Sequence, residues 1–231
     1  TIRSKLAAAC LLLGDETRAA AFQQDLEPTE VWRVGLVQME LVPERGLDGQ
    51  LGLLEHAVEV GDLDEIEAAV RSLTQLYDRT HDQPELRSAT EAALAKGLGG
   101  LPVQKQLGLL VSLVDTALAH GDESQARSYA DQADVLVAGN TWLPENQVPF
   151  VGLQATLRTR LGDDQRAREL LDAAVRLYER EKQAAIVDVF RAETLRPLAL
   201  AYHELGADDA AQSVLATVLE DGAHNPNARP R

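Results

Sequence analysis

The residues best suited to metal or proton chemistry are five histidines, His56, His81, His120, His203 and His224, and none lies at metal-ligand spacing. His203-Glu204 opens like a zinc-protease motif but has no second histidine four positions on. His120 ends an amphipathic stretch, where a cation complements the helix dipole. Cys10 is the only cysteine, so neither a disulfide within the chain nor a thiolate zinc site can form. It reads as a small apolar residue buried in a Leu/Ala helix. Gly97-Leu98-Gly99-Gly100-Leu101-Pro102 is glycine-rich, but it follows a helical pattern and lacks the Gly-Lys-Ser/Thr of a phosphate loop. We read it as a flexible joint near 97–102. Ser124 and Ser128 have neither a nearby histidine nor a nucleophile elbow. Asp163-Asp164 and Asp208-Asp209 stand where helices begin, so capping accounts for them. The sequence therefore predicts no catalytic residue, no metal and no cofactor.

The composition supports that reading. Ala and unbranched side chains dominate and aromatic residues make up 4% of the 231, a mix that favours helix and lets helices approach closely. Apolar stretches such as 6–13 are far shorter than a bilayer span, so a soluble chain without membrane insertion is expected. The formal charge of −15 opposes phosphate backbones, which argues against nucleic acid and for a protein or peptide partner of basic character. The chain opens at Thr1 with sequence that already reads as mid-helix, as a fragment of a longer protein would. The cytoplasm is the expected location, with the periplasm left open.

A short phrase recurs along the chain: Leu13-Gly14-Asp15-Glu16, Val60-Gly61-Asp62, His120-Gly121-Asp122-Glu123, Leu161-Gly162-Asp163-Asp164 and Leu205-Gly206-Ala207-Asp208. Each glycine suits the left-handed residue that closes a helix, and the Asp that follows it in four copies suits the cap of the next. Asp62 with Glu65, and Asp122 with Gln125, have capping-box spacing. Five residues after the glycines come Ala19, Ile66, Ala126, Ala167 and Ala211, mostly small. Further on lie Val70 and Leu73, Ala130 and Ala133, Leu171 and Ala174, and Leu215 and Val218. Upstream lie Leu6 and Cys10, Leu53 and Ala57, Leu113 and Ala117, and Leu198 and Tyr202. These spacings place each set on one helix face, turned toward the partner helix. Gln23, Gln154 and Arg158 break the pattern, which marks the first and fifth units as degenerate.

Helices are expected at 2–13, 15–26, 30–41, 47–60, 62–79, 84–97, 103–120, 122–138, 145–161, 163–182, 184–205 and 207–221, with a disordered tail at 222–231. Over 31–42, Trp32, Leu36 and Met39 have helical spacing, while the β-branched residues and Gly35 suit a strand equally. By this count Gly61 joins two hairpins whereas Gly121 lies inside one. Either an odd helix is inserted or the phrase serves both places.

The segment Leu195-x-x-Leu198-Ala199-x-x-Tyr202-x-x-x-Gly206, continuing to Ala211, Leu215 and Val218, resembles the tetratricopeptide repeat. Leu161-Gly162-Asp163-Asp164-Gln165-Arg166-Ala167 is a second such copy. The likeness covers 103–221 well and 1–80 loosely. Successive glycine turns lie 47, 60, 41 and 44 residues apart, against about 34 in the family. The closing proline is mostly missing. The resemblance implies an all-α fold, a right-handed α-α superhelix of ten to twelve helices over 1–221. It also implies a concave face formed by the first helix of each hairpin. On this chain that face would carry Glu55, Glu59, Asp115, Thr156, Arg160, Arg196 and His203. Trp142, in the connection Asn140-Thr141-Trp142-Leu143-Pro144, reads as a cover over a hydrophobic layer, with an anchor for a partner as the alternative. A non-catalytic protein-interaction scaffold is the expected function. The alternatives are a peptide- or ligand-sensing segment of a larger signalling or transcription protein, and an enzyme.

Overall fold

The computed structural model describes residues 2–27, 30, 31, 34 and 43–223. Among them are eleven α-helices and no strand: α1 (Ile2–Leu12), α2 (Glu16–Gln23), α3 (Pro43–Val60), α4 (Leu63–Arg79), α5 (Pro84–Gly99), α6 (Val103–Ala119), α7 (Glu123–Ala138), α8 (Pro144–Arg160), α9 (Asp164–Glu181), α10 (Asp188–Glu204) and α11 (Asp208–Ala223). Most of the expected helix at 30–41, with Trp32, Leu36 and Met39, lies outside the described residues, as does 224–231 of the expected tail. Three boundaries differ from expectation. The expected linker 43–46 is helical, because proline is tolerated in a first helical turn, where its missing N–H has no partner to lose. α10 starts at Asp188 instead of 184, after a loop over which Arg191 Nε donates to the carbonyls of Lys182 and Ile186 at 2.9 and 3.2 Å. α11 runs on through Gly222 and Ala223.

All five phrase glycines have φ between 72° and 75°, and no other described residue has a positive φ. At each turn the residue after the glycine donates its N–H to a carbonyl five positions back, as Asp163 does to Arg158 at 2.9 Å and Ala207 to Tyr202 at 2.9 Å. This bond satisfies a carbonyl left open at the helix end. The same Asp then caps the next helix. Asp15 accepts from Arg18 N, Asp62 from Asp64 N and Glu65 N, Asp122 from Gln125 N, and Asp163 from Arg166 N. A Gly-Asp pair thus ends one helix and starts the next with no intervening loop.

The phrase therefore links α1 to α2, α3 to α4, α6 to α7, α8 to α9 and α10 to α11. Among the described helices, α5 is the one that this phrase does not link to a neighbour. It is entered through Gln83 with Pro84 in its first turn and without the Gly-Asp phrase. Neighbouring helices pack in pairs.

The chain divides into two compact units, 1–112 and 113–231, and the division falls inside α6. In the first unit, Ala7, Ala8 and Val34 form one small core with Leu11, Phe22 and Leu26 against it. Leu6, expected on the inner face, points outward while its neighbours take the contact. Leu54, Val70, Leu73, Tyr77 and Leu94 are fully buried across α3, α4 and α5. The glycine-rich segment 97–102 packs into this unit. A Cβ at Gly97 would stand 2.5 Å from Val70 Cγ2 and 3.2 Å from Leu54 Cδ1, so glycine here permits close helix contact. Leu98 and Leu101 are buried, and Gln106 Nε2 donates to the Leu101 carbonyl at 2.7 Å.

In the second unit α8 pairs with α9 and α10 with α11, and α8 also lies beside α10. Leu157, Leu171, Tyr178, Leu195 and Leu198 are fully buried, and Ala126 and Ala167 have no exposed surface. Leu215 departs from expectation: it is 46% exposed, and Val214 takes the buried place. α11 packs chiefly against α10, so its covered stripe is narrow, and a residue one position further round is left open.

Candidate binding face

α6, α8 and α10 are the first helices of three successive hairpins, and a row of charged side chains joins their C-terminal turns. Arg160 Nη1 donates to Asp115 Oδ1 and Oδ2 at 2.6 and 2.7 Å, and Arg160 Nη2 lies 3.9 Å from Glu204 Oε1. The arginine also complements the dipole at the end of α8. All three side chains are at least partly exposed, so each pair contributes no more than about 1 kcal/mol. Its value here is geometric, since it shows which positions of the three helices meet.

The other end of the α8–α10 pair holds a cavity of about 260 Å³, lined by Glu145, Asn146 and Pro149 of α8 and by Phe190, Glu193 and Thr194 of α10. Between the two ends the helices touch closely, and a Cβ on Gly152 would stand 2.8 Å from Leu198 Cδ2. Positions 145, 149, 152, 156 and 160 form one stripe of α8, and 190, 194, 197, 201 and 204 the facing stripe of α10.

Two of the seven residues expected on this face, Asp115 and Arg160, are bonded to one another. Thr156, half-buried, lies one turn from Arg160. Arg196 and His203 lie on the side of α10 that faces α11. They border a groove of about 460 Å³ against α11, floored by Ala199, Leu200, Ala211 and Leu215, and His203 Nδ1 lies 2.9 Å from Asp208 Oδ1. Glu204, not His203, is the α10 residue that reaches Arg160. Glu55 and Glu59 are exposed on α3 in the first unit, and Glu55 accepts from Lys96 Nζ at 3.1 Å. Asp115 and Glu55 are thus neutralised by neighbours.

Trp142 is committed inside the second unit. Its Nε1 donates to the Val137 carbonyl at 2.9 Å, and its ring meets Phe150 edge-on at 4.8 Å between centroids. Cys10 is half-buried. Gln154 and Arg158, which broke the sequence pattern, form a polar bridge. Gln154 Nε2 donates to Asp134 Oδ1 at 2.8 Å, and Arg158 Nη2 donates to Asp134 and, at 2.7 Å, to Asp131 Oδ1. Burial alone would lower the pKa of Arg158, but the hydrogen bonds it donates to Asp134 and Asp131 outweigh burial and raise it.

The other perturbed groups are also held in their resting states. Burial, and then an acceptor carboxylate, push the Tyr178 and Tyr202 hydroxyls well above their ordinary range. Tyr178 donates to Asp221, and Tyr202 to Asp172 at 2.6 Å, which ties α9 to α11 and to α10. Hydrogen bonds from Lys105 and Arg71 outweigh burial and hold the Glu67 carboxyl below its usual value. None of these shifts prepares a group to exchange a proton near neutral pH.

Sequence reasoning did not single out Glu145, Phe190 or Glu193, and it met Glu204 only as the neighbour of His203. Their only signals were an aromatic residue and acids placed along two helices, which are ordinary until helices that begin 44 residues apart are seen side by side. No described helix is long and apolar enough to cross a membrane. No protein-family model, curated protein or solved structure matches the chain.

Proposed function

We propose that this protein is a non-catalytic interaction scaffold, a tetratricopeptide-like, right-handed stack of helical hairpins. It binds an extended peptide or protein of basic character across its first helices. The observation that carries this reading is the row Asp115–Arg160–Glu204, in which one arginine of α8 meets an acid of α6 and an acid of α10. Helical stacks hold extended partners on such rows of helices. Because Asp115 and Glu55 already have cations, recognition rests on local acceptors and not on a general negative field. A peptide-sensing role within a larger protein is the second reading. It draws on the apolar-floored groove between α10 and α11, with Arg196 at its rim.

The test is selection of peptides from a random display library, followed by hydrogen-exchange footprinting. Protection is expected on α8 and α10, with binding lost in Arg160→Glu. Protection confined to the second helices, α9 and α11, counts against the reading. Small-angle scattering tests the superhelix separately, because a compact chain of this length would have a radius of gyration of about 17 Å and a helical stack a larger one.

A further inference from the structure

The cavity between the N-terminal turns of α8 and α10 is rich in hydrogen-bond acceptors. The carboxylates of Glu145 and Glu193 have no cationic partner among the described residues, in contrast to Asp115 and Glu55. α8 and α10 each contain an interior proline, Pro149 and Pro197. A proline has no N–H to give to the carbonyl four residues back, and those carbonyls belong to the same two residues, Glu145 and Glu193. Thr194 is 4% exposed, lines the cavity, and its hydroxyl makes no hydrogen bond among the described residues. Beside these acceptors stands Phe190, 46% exposed, an aromatic ring left at the surface instead of in the core.

We infer that this cavity seats an arginine side chain of the partner, with its guanidinium stacked on Phe190 and donating to Glu145, Glu193 and Thr194. The inference deepens the scaffold reading and rests on it. Guanidinium is the side-chain group that matches the site. It carries five N–H donors in one plane and no acceptor, so it can meet several acceptors at its edge while its face lies on an aromatic ring. It is also less strongly hydrated than an ammonium group and stacks on rings more readily. Lysine, with three donors around a point charge, would reach the carboxylates but gain less from Phe190. The two carboxylates belong to helices that are already packed together, so little ordering is needed when the ligand binds.

The experiment is a heteronuclear NMR titration of the full chain with N-acetyl-arginine amide, beside N-acetyl-lysine amide and N-acetyl-glutamate amide. Arginine amide is expected to shift the backbone amides of 145–148 and 189–195 in a saturable manner. Lysine amide should bind at least tenfold more weakly, and glutamate amide not at all. Glu145→Gln combined with Glu193→Gln should weaken arginine binding at least tenfold with the melting temperature unchanged. Phe190→Leu should reduce the preference for arginine over lysine. Shifts spread over the acidic surface, equal for both cations and erased by salt, would overturn the inference. So would unchanged arginine binding by the double variant. If selected peptides footprint on α8 and α10 yet ignore the double variant, the scaffold stands and the arginine seat falls. If arginine amide binds at the cavity while selected peptides occupy other helices, the seat stands and the scaffold reading falls.

Discussion

Arg158 of α8 reaches across to α7 and donates to Asp134, with Asp131 on its other side and Gln154, one turn earlier, sharing the same aspartate. The arginine side chain is 13% exposed, so this bridge is sheltered from water and fastens one hairpin to the next. Arg158→Leu leaves Asp134 with a half-buried charge and one donor. A loss of about 2 kcal/mol is expected, in line with removal of a buried charged hydrogen bond. Asp131 is mostly exposed, and Asp131→Asn should cost less than about 0.5 kcal/mol. Urea denaturation of the two variants reads the difference. Equal losses would mean that Asp134 does not carry the bridge.

Gly162 and Gly152 are needed for opposite reasons. Gly162 has a φ of +72° with open space around it, whereas Gly152 is helical with Leu198 Cδ2 only 2.8 Å from where a Cβ would stand. Gly162→Ala should cost about 1 kcal/mol through backbone strain, and Gly162→Asn less, because asparagine enters the left-handed region more readily. At Gly152 the order reverses. Alanine should cost about 1–3 kcal/mol through overpacking, and asparagine more. Thermal melts of the four variants would show the crossover.

Ala167 has no exposed surface, while Ala173 on the same helix is exposed. Ala167→Leu should lose about 1–3 kcal/mol, and Ala173→Leu almost nothing. Arg168, the residue next to Ala167, is a poor control, because its guanidinium lies 5.6 Å from the Tyr202 ring centre and 3.5 Å from Asp172. Similar melting temperatures for the two leucine variants would show that the α9 face is wrongly assigned.

Glu67 gives stability an acid dependence. Lys105 Nζ and Arg71 Nη2 each lie 2.6 Å from its oxygens and hold its carboxyl below the ordinary 4.5. A carboxyl lowered on folding stabilises the fold above its unfolded value, and that contribution disappears as pH falls through the folded value. Glu67→Gln should therefore melt below the parent at pH about 7, by no more than about 1 kcal/mol, and coincide with it once the parent carboxyl is protonated. A difference that persists unchanged into acid would assign the effect to packing.

The sequence by itself determined the turns and the helices between them. Reversing a helix with no spare residue requires a left-handed residue and then a side-chain acceptor, and Gly14-Asp15, Gly61-Asp62, Gly121-Asp122 and Gly162-Asp163 provide both through bonds that span five residues or fewer. The buried alanines were legible for the same reason, since their distance from each turn fixes their angle on the helix. What surrounds each helix is not local. Whether Glu204 or His203 meets Arg160, and whether Val214 or Leu215 is covered, depends on the rotation of α10 and α11 against neighbours tens of residues away. Even Arg158, which breaks the repeat pattern in the sequence, acquires its partners only when α7 packs beside α8. The cavity of Glu145, Phe190 and Glu193 exists only because α8 and α10 lie together. Local hydrogen bonding decided where the chain turns, and packing between distant helices decided which side chains share a surface.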